Sequence, residues 1–206
     1  MKIEDFPPNE QRALALAKVA LTAYMAGAHQ TAVETIKQIE TETAAVDLAL
    51  LAWCDWMAQA LGVSGYRGPV KLLFGGMGES GSIERITGAE AVDRPEIVWA
   101  GQLIVARIAQ DKDIYGALML ALPHDPAAVG RHVLAVLEIA ALSMRGTLTE
   151  HQLATLVRTC HRDGLIGDEA AVTTLAESAG IDRGRAAALL LAATAPERHD
   201  DGSWTP

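Results

Sequence analysis

One stretch of the sequence, Gly62 to Arg94, limits the folds open to this chain because it is the only long segment without a helical pattern. It holds eight of the 18 glycines and one short apolar run, Val70 to Phe74. On both sides, segments rich in alanine and leucine place apolar residues at helical spacing. We therefore predict an all-α fold. It would be a multi-helix bundle of antiparallel hairpins around two or three buried central helices, with a small glycine-rich loop or β-hairpin inserted at 62–94.

Within the insertion, two short segments have the composition of strands. Residues 70–74 are mostly apolar, and residues 82–87 follow them across a loop rich in glycine. Two such segments joined by a glycine loop are typical of a β-hairpin. We predict that 70–74 and 82–87 pair.

Helix boundaries follow from capping residues, prolines and glycines. Asn9 and Thr43 are placed as N-caps of the first and third helices, and Asp111 as the N-cap of a short helix. The third helix, up to Gly62, and the long helix that starts at Asp125 are apolar on most sides, so we expect both to be central. Three shorter helices are predicted at 150–162, 168–179 and 183–193.

A glycine near the end of the long helix suggests a division of the chain. We predict a helical core domain over residues 1–146 that contains the insertion, and a three-helix C-terminal subdomain over 147–195 that packs on it. Residues 196–206 show no periodicity and are expected to form a flexible tail.

The charge and cysteine content restrict the partners and the compartment. The net charge of −9 and the pI near 5.1 repel phosphate backbones and anionic lipid, so nucleic acid is an improbable partner and no membrane is expected. The longest apolar stretch, 44–61, carries two aspartates and is not expected to span a bilayer. Two cysteines, Cys54 and Cys160, suit a reducing compartment. We predict a cytoplasmic protein.

The sequence contains no recognisable catalytic or metal-binding constellation. Glu-x-x-His and His-Glu-x-x-His motifs are absent, and no serine lies in Gly-x-Ser-x-Gly. Carboxylates on otherwise apolar helices, at Asp47, Asp55 and Glu138, are expected to meet solvent or to pair with Arg131 and Arg145. We name no catalytic residue, no metal ligand and no cofactor.

The glycine-rich segment does match one ligand-binding pattern. Residues 76–81 read G-x-G-x-x-G, the pattern that lets a pyrophosphate approach the start of a helix in a βαβ unit. Only six residues separate Gly81 from Gly88, which is too few for that helix, so a hairpin loop is the favoured interpretation. A ligand-binding or enzymatic use of this loop remains an alternative, and its candidate residues are Arg67, Lys71, Gly76, Gly78 and Arg85.

Near the C-terminus, residues 172–191 resemble the helix-turn-helix of DNA-binding regulators. Leu175 and Ala176 occupy the apolar and alanine positions of that motif, Gly180 its turn and Ile181 the apolar residue after the turn. The resemblance implies a transcriptional regulator, and the candidate DNA contacts would be Arg183 and Arg185.

The second helix of this pair departs from a DNA reader. After the two arginines it is apolar, and residues 168–191 hold four acids against those two arginines. Base readout needs hydrogen-bonding side chains. The pattern is similar to ubiquitin-associated three-helix modules, which bind proteins.

Three functions follow from these patterns. We favour a non-enzymatic protein that associates with itself or with a protein partner, because the Ala/Leu run at 186–193 is hard to bury within three short helices. Its candidate contacts are Leu190, Leu191 and Ala187. The alternatives are the helix-turn-helix regulator and a small-ligand binder or enzyme that uses residues 62–94.

Overall fold

The computed structural model describes residues 6–64, 66, 75–77, 83–85 and 94–193. The fold is all-α with packed helices, as predicted. The helices in chain order are α1 (Pro8–Met25), α2 (His29–Gln38), α3 (Val46–Ala60), α4 (Pro95–Ile108), α5 (Lys112–Leu120), α6 (Pro126–Arg145), α7 (Glu150–Arg162), α8 (Asp168–Ala179) and α9 (Arg183–Ala192).

Side-chain caps begin several of these helices. Asp111 accepts a hydrogen bond from the Ile114 amide at 3.0 Å, as its predicted role requires, and Asp125 accepts one from the Ala128 amide at 2.8 Å. Thr149 and Gln152 form a reciprocal capping box at the start of α7. These interactions satisfy amides that the first turn of a helix leaves without partners.

Two predicted caps are wrong. Helix α1 starts at Pro8, whose fixed φ suits the first helical position, so Asn9 lies inside the helix. Thr43 ends a π-helical turn, Ile39–Thr43, that follows α2. Ala44 then takes a left-handed φ of 50°, and α3 starts after Ala45 without a side-chain cap.

Helices α3 and α6 lie at the centre of the larger hydrophobic cluster. Trp53 of α3 is fully buried, and its indole Nε1 donates to the Ala17 carbonyl of α1 at 2.9 Å. Val136 and Leu137 of α6 are also fully buried. Helix α6 contacts α1, α3 and α4. The buried tryptophan has its polar atom satisfied, as a stable core requires.

The three C-terminal helices share a second hydrophobic cluster. Val157, Leu175 and Ala186 of α7, α8 and α9 are fully buried in it, together with Ala26 from the end of α1. Leu156 packs against both clusters. The domain boundary near residue 146 stays a prediction.

The turn between α1 and α2 joins the two clusters. Gly27 has a φ of +77°, and a Cβ there would lie 2.5 Å from Oγ1 of Thr174 in α8. The Thr31 hydroxyl donates to the Leu165 carbonyl at 3.1 Å, and the Cys160 thiol lies 3.6 Å from the Thr22 carbonyl. Only glycine combines this backbone conformation with so close an approach.

Two three-residue strands are described between α3 and α4. β1 (Gly75–Met77) pairs antiparallel with β2 (Ile83–Arg85), and Gly76 lies opposite Glu84. The second strand falls within the predicted 82–87. The predicted first strand, 70–74, and the predicted tail, 196–206, lie outside the described residues.

Among the described helices, α6 is the one long and apolar enough to cross a membrane by length and composition. Core helices of soluble proteins meet the same criterion, and seven residues of α6 are buried in the fold. The cytoplasmic assignment stays a prediction.

Candidate functional site

A cavity of about 410 Å³ lies where the ends of α3 and α4 meet the start of α5. It combines charged and polar side chains with an apolar wall. Its described lining residues are Asp55, Ala58, Val63, Ser64, Ala106, Arg107, Ile108, Gln110, Asp111, Lys112, Tyr115 and Gly116.

An ion pair between α3 and α4 forms one side of this cavity. The Arg107 Nε and Nη2 atoms donate to the two Asp55 carboxylate oxygens at 2.8 and 2.7 Å. This two-point geometry fixes both side chains, and the hydrogen bonds to Asp55 raise the pKa of Arg107. One wall of the cavity is therefore polar and ion-paired.

The pairing of the helix carboxylates differs from the prediction. Asp55 pairs with Arg107, and Glu138 lies 3.4 Å from Nη2 of Arg94, so neither uses Arg131 or Arg145. The predicted partners, Arg131 and Arg145, lie in α6 with Glu138 and repeat with it at the spacing of one helix face. The observed ones are brought close by the packing of α4 on α3 and α6.

Tyr115 of α5 lines the cavity and carries an unpaired hydroxyl. Its oxygen is buried and has no hydrogen-bond partner among the described residues. Burial is the main cause that raises the pKa of Tyr115, so the phenol stays protonated at neutral pH. A buried hydroxyl without a partner costs about 1–3 kcal/mol.

Gln110 lies at the cavity in a strained backbone conformation. Its φ of 58° is left-handed, and the Asp111 amide donates back to the Ala106 carbonyl at 2.9 Å. Helices commonly end in this way, but with glycine at the left-handed position. A side chain there costs about 1–2 kcal/mol.

A second concave surface, the apolar groove, is lined by α1, α3, α7 and the end of α6. Its volume is about 750 Å³. Lys18 is the one charged residue among its described lining residues. They are Lys18, Leu21, Thr22, Met25, Trp56, Gln59, Ala60, Met144, Leu148, Gln152, Thr155, Leu156 and Thr159.

The residues predicted to contact a protein partner lie on α9, away from this groove. Leu190 is half-buried against the second cluster, and Ala187 in the same helix is half-buried. Leu191 is 70% exposed. A role of this surface in binding stays a prediction.

The two candidate DNA-contacting arginines are both engaged in ion pairs. Arg183 lies 3.6 Å from Glu169 of α8, and Arg185 donates to Glu150 of α7 at 2.7 Å. A guanidinium held by a carboxylate is less available to a phosphate. DNA contact by these two arginines stays an untested alternative.

The candidate ligand loop is described only in part. Gly76 and Arg85 belong to the two short strands, and Arg67, Lys71 and Gly78 lie outside the described residues. Val63 and Ser64, at the start of the predicted insertion, line the cavity. The cavity is the described site nearest in sequence to that loop.

The cysteines are buried thiols. Burial raises the pKa of Cys54 to about 12 and that of Cys160 to about 11. Nucleophilic chemistry needs the thiolate, so neither is activated. Within the described part of the chain, no three histidine, cysteine or carboxylate side chains come together as a metal site.

No protein family, curated protein or solved structure matches this chain. The site is therefore interpreted from its own geometry. Sequence reasoning missed both concave surfaces. For the cavity, one local feature of the sequence was informative. Gln110 follows α4 at the left-handed position where a helix usually ends in glycine. For the groove there was no such feature, since its walls come from four separate helices.

Proposed function

We propose that this protein is non-enzymatic and acts by association, with the apolar groove as the surface that accepts an apolar helix. The observation that supports this is the groove itself, which is open, wide and almost without charge. Amphipathic helices bind in such grooves through apolar residues spaced along one face.

The groove walls suit a helical occupant. Met25 and Met144 are flexible and polarizable, so they adapt to different side chains, and Trp56 supplies a rigid apolar wall. Three leucines and an alanine add apolar surface, and the polar lining residues are Lys18, three threonines and two glutamines. An occupant with apolar anchors and an acidic residue near Lys18 would complement this surface.

Helix α5 of a second copy has these properties. It contributes no buried residue to its own chain, and Leu120 and Ile114 are 89% and 52% exposed. Ala117 shares that outer face at helical spacing, and exposed Asp113 stands beside it to meet Lys18. We therefore propose self-association of α5 in the groove. A different protein's helix is the alternative occupant.

Two single substitutions test this contact from its two sides. Thr155→Arg places a long charged side chain in the groove, and Leu120→Arg places one on the exposed face of α5. Both positions are exposed, so the fold is kept. We expect each variant to weaken self-association at least tenfold, measured by sedimentation equilibrium.

The matched control is Thr173→Arg on α8. Thr155 and Thr173 each donate to the carbonyl four residues earlier, at 2.9 Å in both cases, but Thr173 does not line the groove. Association unchanged in Thr155→Arg and Leu120→Arg would reject this contact. Loss in Leu191→Arg alone would assign it to the α9 surface.

The arrangement of the helices and the location of the protein are also proposals. We propose the antiparallel arrangement of the helix hairpins around α3 and α6, with the glycine-rich insertion between α3 and α4. We also propose a cytoplasmic location. The burial of α3 and α6 and the two separate hydrophobic clusters support the first proposal.

A further inference from the structure

We propose that the cavity between α3, α4 and α5 binds a small monocarboxylate with a short apolar body. This site is separate from the groove, and no lining residue is common to the two. The two proposals share helix α5, whose outer face is the proposed occupant of the groove, but they use different residues of it.

The charges of the cavity favour a single negative group. Both lining carboxylates are already bonded, Asp55 to Arg107 and Asp111 to the amide of Ile114. Lys112 makes no ion pair with any described residue. The formal charges of the described lining residues sum to zero, so one unpaired ammonium suits a monoanion better than a phosphate dianion.

The donors lie on adjacent turns of one helix. Lys112 and Tyr115 are three residues apart in α5 and therefore neighbours on its surface. The Tyr115 hydroxyl is closed to solvent in this structure and has no partner, so a ligand oxygen that reached it after a shift of the covering side chains would relieve that cost. Gly116 has no side chain, and a Cβ there would meet nothing within 4 Å.

The apolar wall of the cavity limits the size and polarity of the ligand's hydrocarbon part. Ala58, Val63, Ala106 and Ile108 are apolar and surround a volume of about 410 Å³, which lies in the range of small-molecule sites. Short branched acids match such a wall.

The strain at Gln110 is a separate observation at the same place. A left-handed glutamine persists although glycine would fit the same helix end without strain. Gln110 is one of the residues that line the cavity, and a side-chain amide can donate to a carboxylate oxygen. Strained residues of this kind cluster at ligand sites.

The test compares 3-methylbutanoate with its neutral isostere, 3-methylbutanamide, by ligand-observed NMR titration. We expect the carboxylate to bind at least tenfold more tightly than the amide. Lys112→Met, which keeps the chain length without the charge, should remove that preference. Lys37→Met, at an exposed lysine of α2 outside the cavity, should leave it unchanged.

A second variant separates a ligand role from a purely structural one. Gln110→Gly should raise the Tm by roughly 2–4 °C because the strain is removed, and should weaken 3-methylbutanoate binding several-fold. Equal binding of acid and amide, or binding unaffected by Lys112→Met, would overturn the proposal. So would Gln110→Gly with unchanged affinity.

Discussion

Gly27 holds the turn between α1 and α2 against the C-terminal helices. Its backbone is left-handed, and Thr174 fills the space that a Cβ would need. We predict that Gly27→Ala lowers the free energy of unfolding by about 3 kcal/mol or more, because backbone strain and steric overlap add. Urea denaturation measures the change.

Gly62 supplies the control for that substitution. It has a similar φ of +69°, but a Cβ there would meet nothing within 4 Å. Gly62→Ala should therefore cost only the backbone term, about 1–2 kcal/mol. Equal losses for the two variants would show that the contact with Thr174 does not matter.

For single residues, the sequence was informative where the interaction is local. Asp111 was predicted as an N-cap, and its carboxylate does accept from an amide three residues on. The partner of Asp55 was predicted wrongly, because Arg107 is distant in sequence and only helix packing brings it close. The unpaired Tyr115 hydroxyl depends on that same packing.

Helix α7 is stabilised at its start by the Thr149–Gln152 capping box. The Gln152 side chain accepts from the Thr149 amide at 2.9 Å, while the Thr149 hydroxyl accepts from the Gln152 amide at 3.3 Å. We predict that Thr149→Ala lowers the free energy of unfolding by about 1 kcal/mol. Thermal or urea unfolding checks this value.

Thr155→Ala in the same helix is the matched comparison. Thr155 is exposed in the helix interior, where alanine has the higher helix propensity. Its substitution should be neutral or slightly stabilising. If both alanine variants lost the same stability, the cap would not be the cause.

Among the helices, the C-terminal three were predicted almost residue for residue. Their starts and ends are marked by Thr149, Gly167, Gly180 and Asp182, which act within a few residues. The start of α3 was predicted less well, because Thr43, its predicted N-cap, ends the π-helical turn that follows α2. That turn packs against α1 and α3, so it depends on contacts that no local pattern reveals.

The stability of the whole molecule should fall at alkaline pH. Burial raises the pKa of Cys54 to about 12 and that of Cys160 to about 11, and it also raises the pKa of Tyr24. The unfolded chain loses the two thiol protons above a pH of 9.0 and the tyrosine proton above 10.0, while the folded chain keeps them. The stabilisation is therefore complete below pH 9 and is lost as the pH rises towards 12.

Urea unfolding at pH 8.0 and about pH 10.5 measures this effect. Each thiol contributes on the order of 1 kcal/mol per pH unit within that window. Cys54→Ala should show a shallower decline with pH, whatever its stability at pH 8. A free energy of unfolding that stays constant across this range would contradict the buried, protonated thiols.

The fold class of the molecule could be predicted from the sequence, but its concave surfaces could not. Helical spacing and alanine content are properties of neighbouring residues. The groove joins side chains from Lys18 to Thr159, and its shape arises only when four helices pack. The predicted contact surface on α9 was drawn from local apolar content alone.

Native mass spectrometry of the intact chain, with Thr155→Arg, Leu120→Arg and Thr173→Arg, tests self-association most directly. The monomer has a mass of 21.8 kDa. We predict a multimer for the native chain and for Thr173→Arg, and mainly monomer for the other two variants. A native chain that stays monomeric at the concentrations of that experiment would contradict self-association through α5 and the groove.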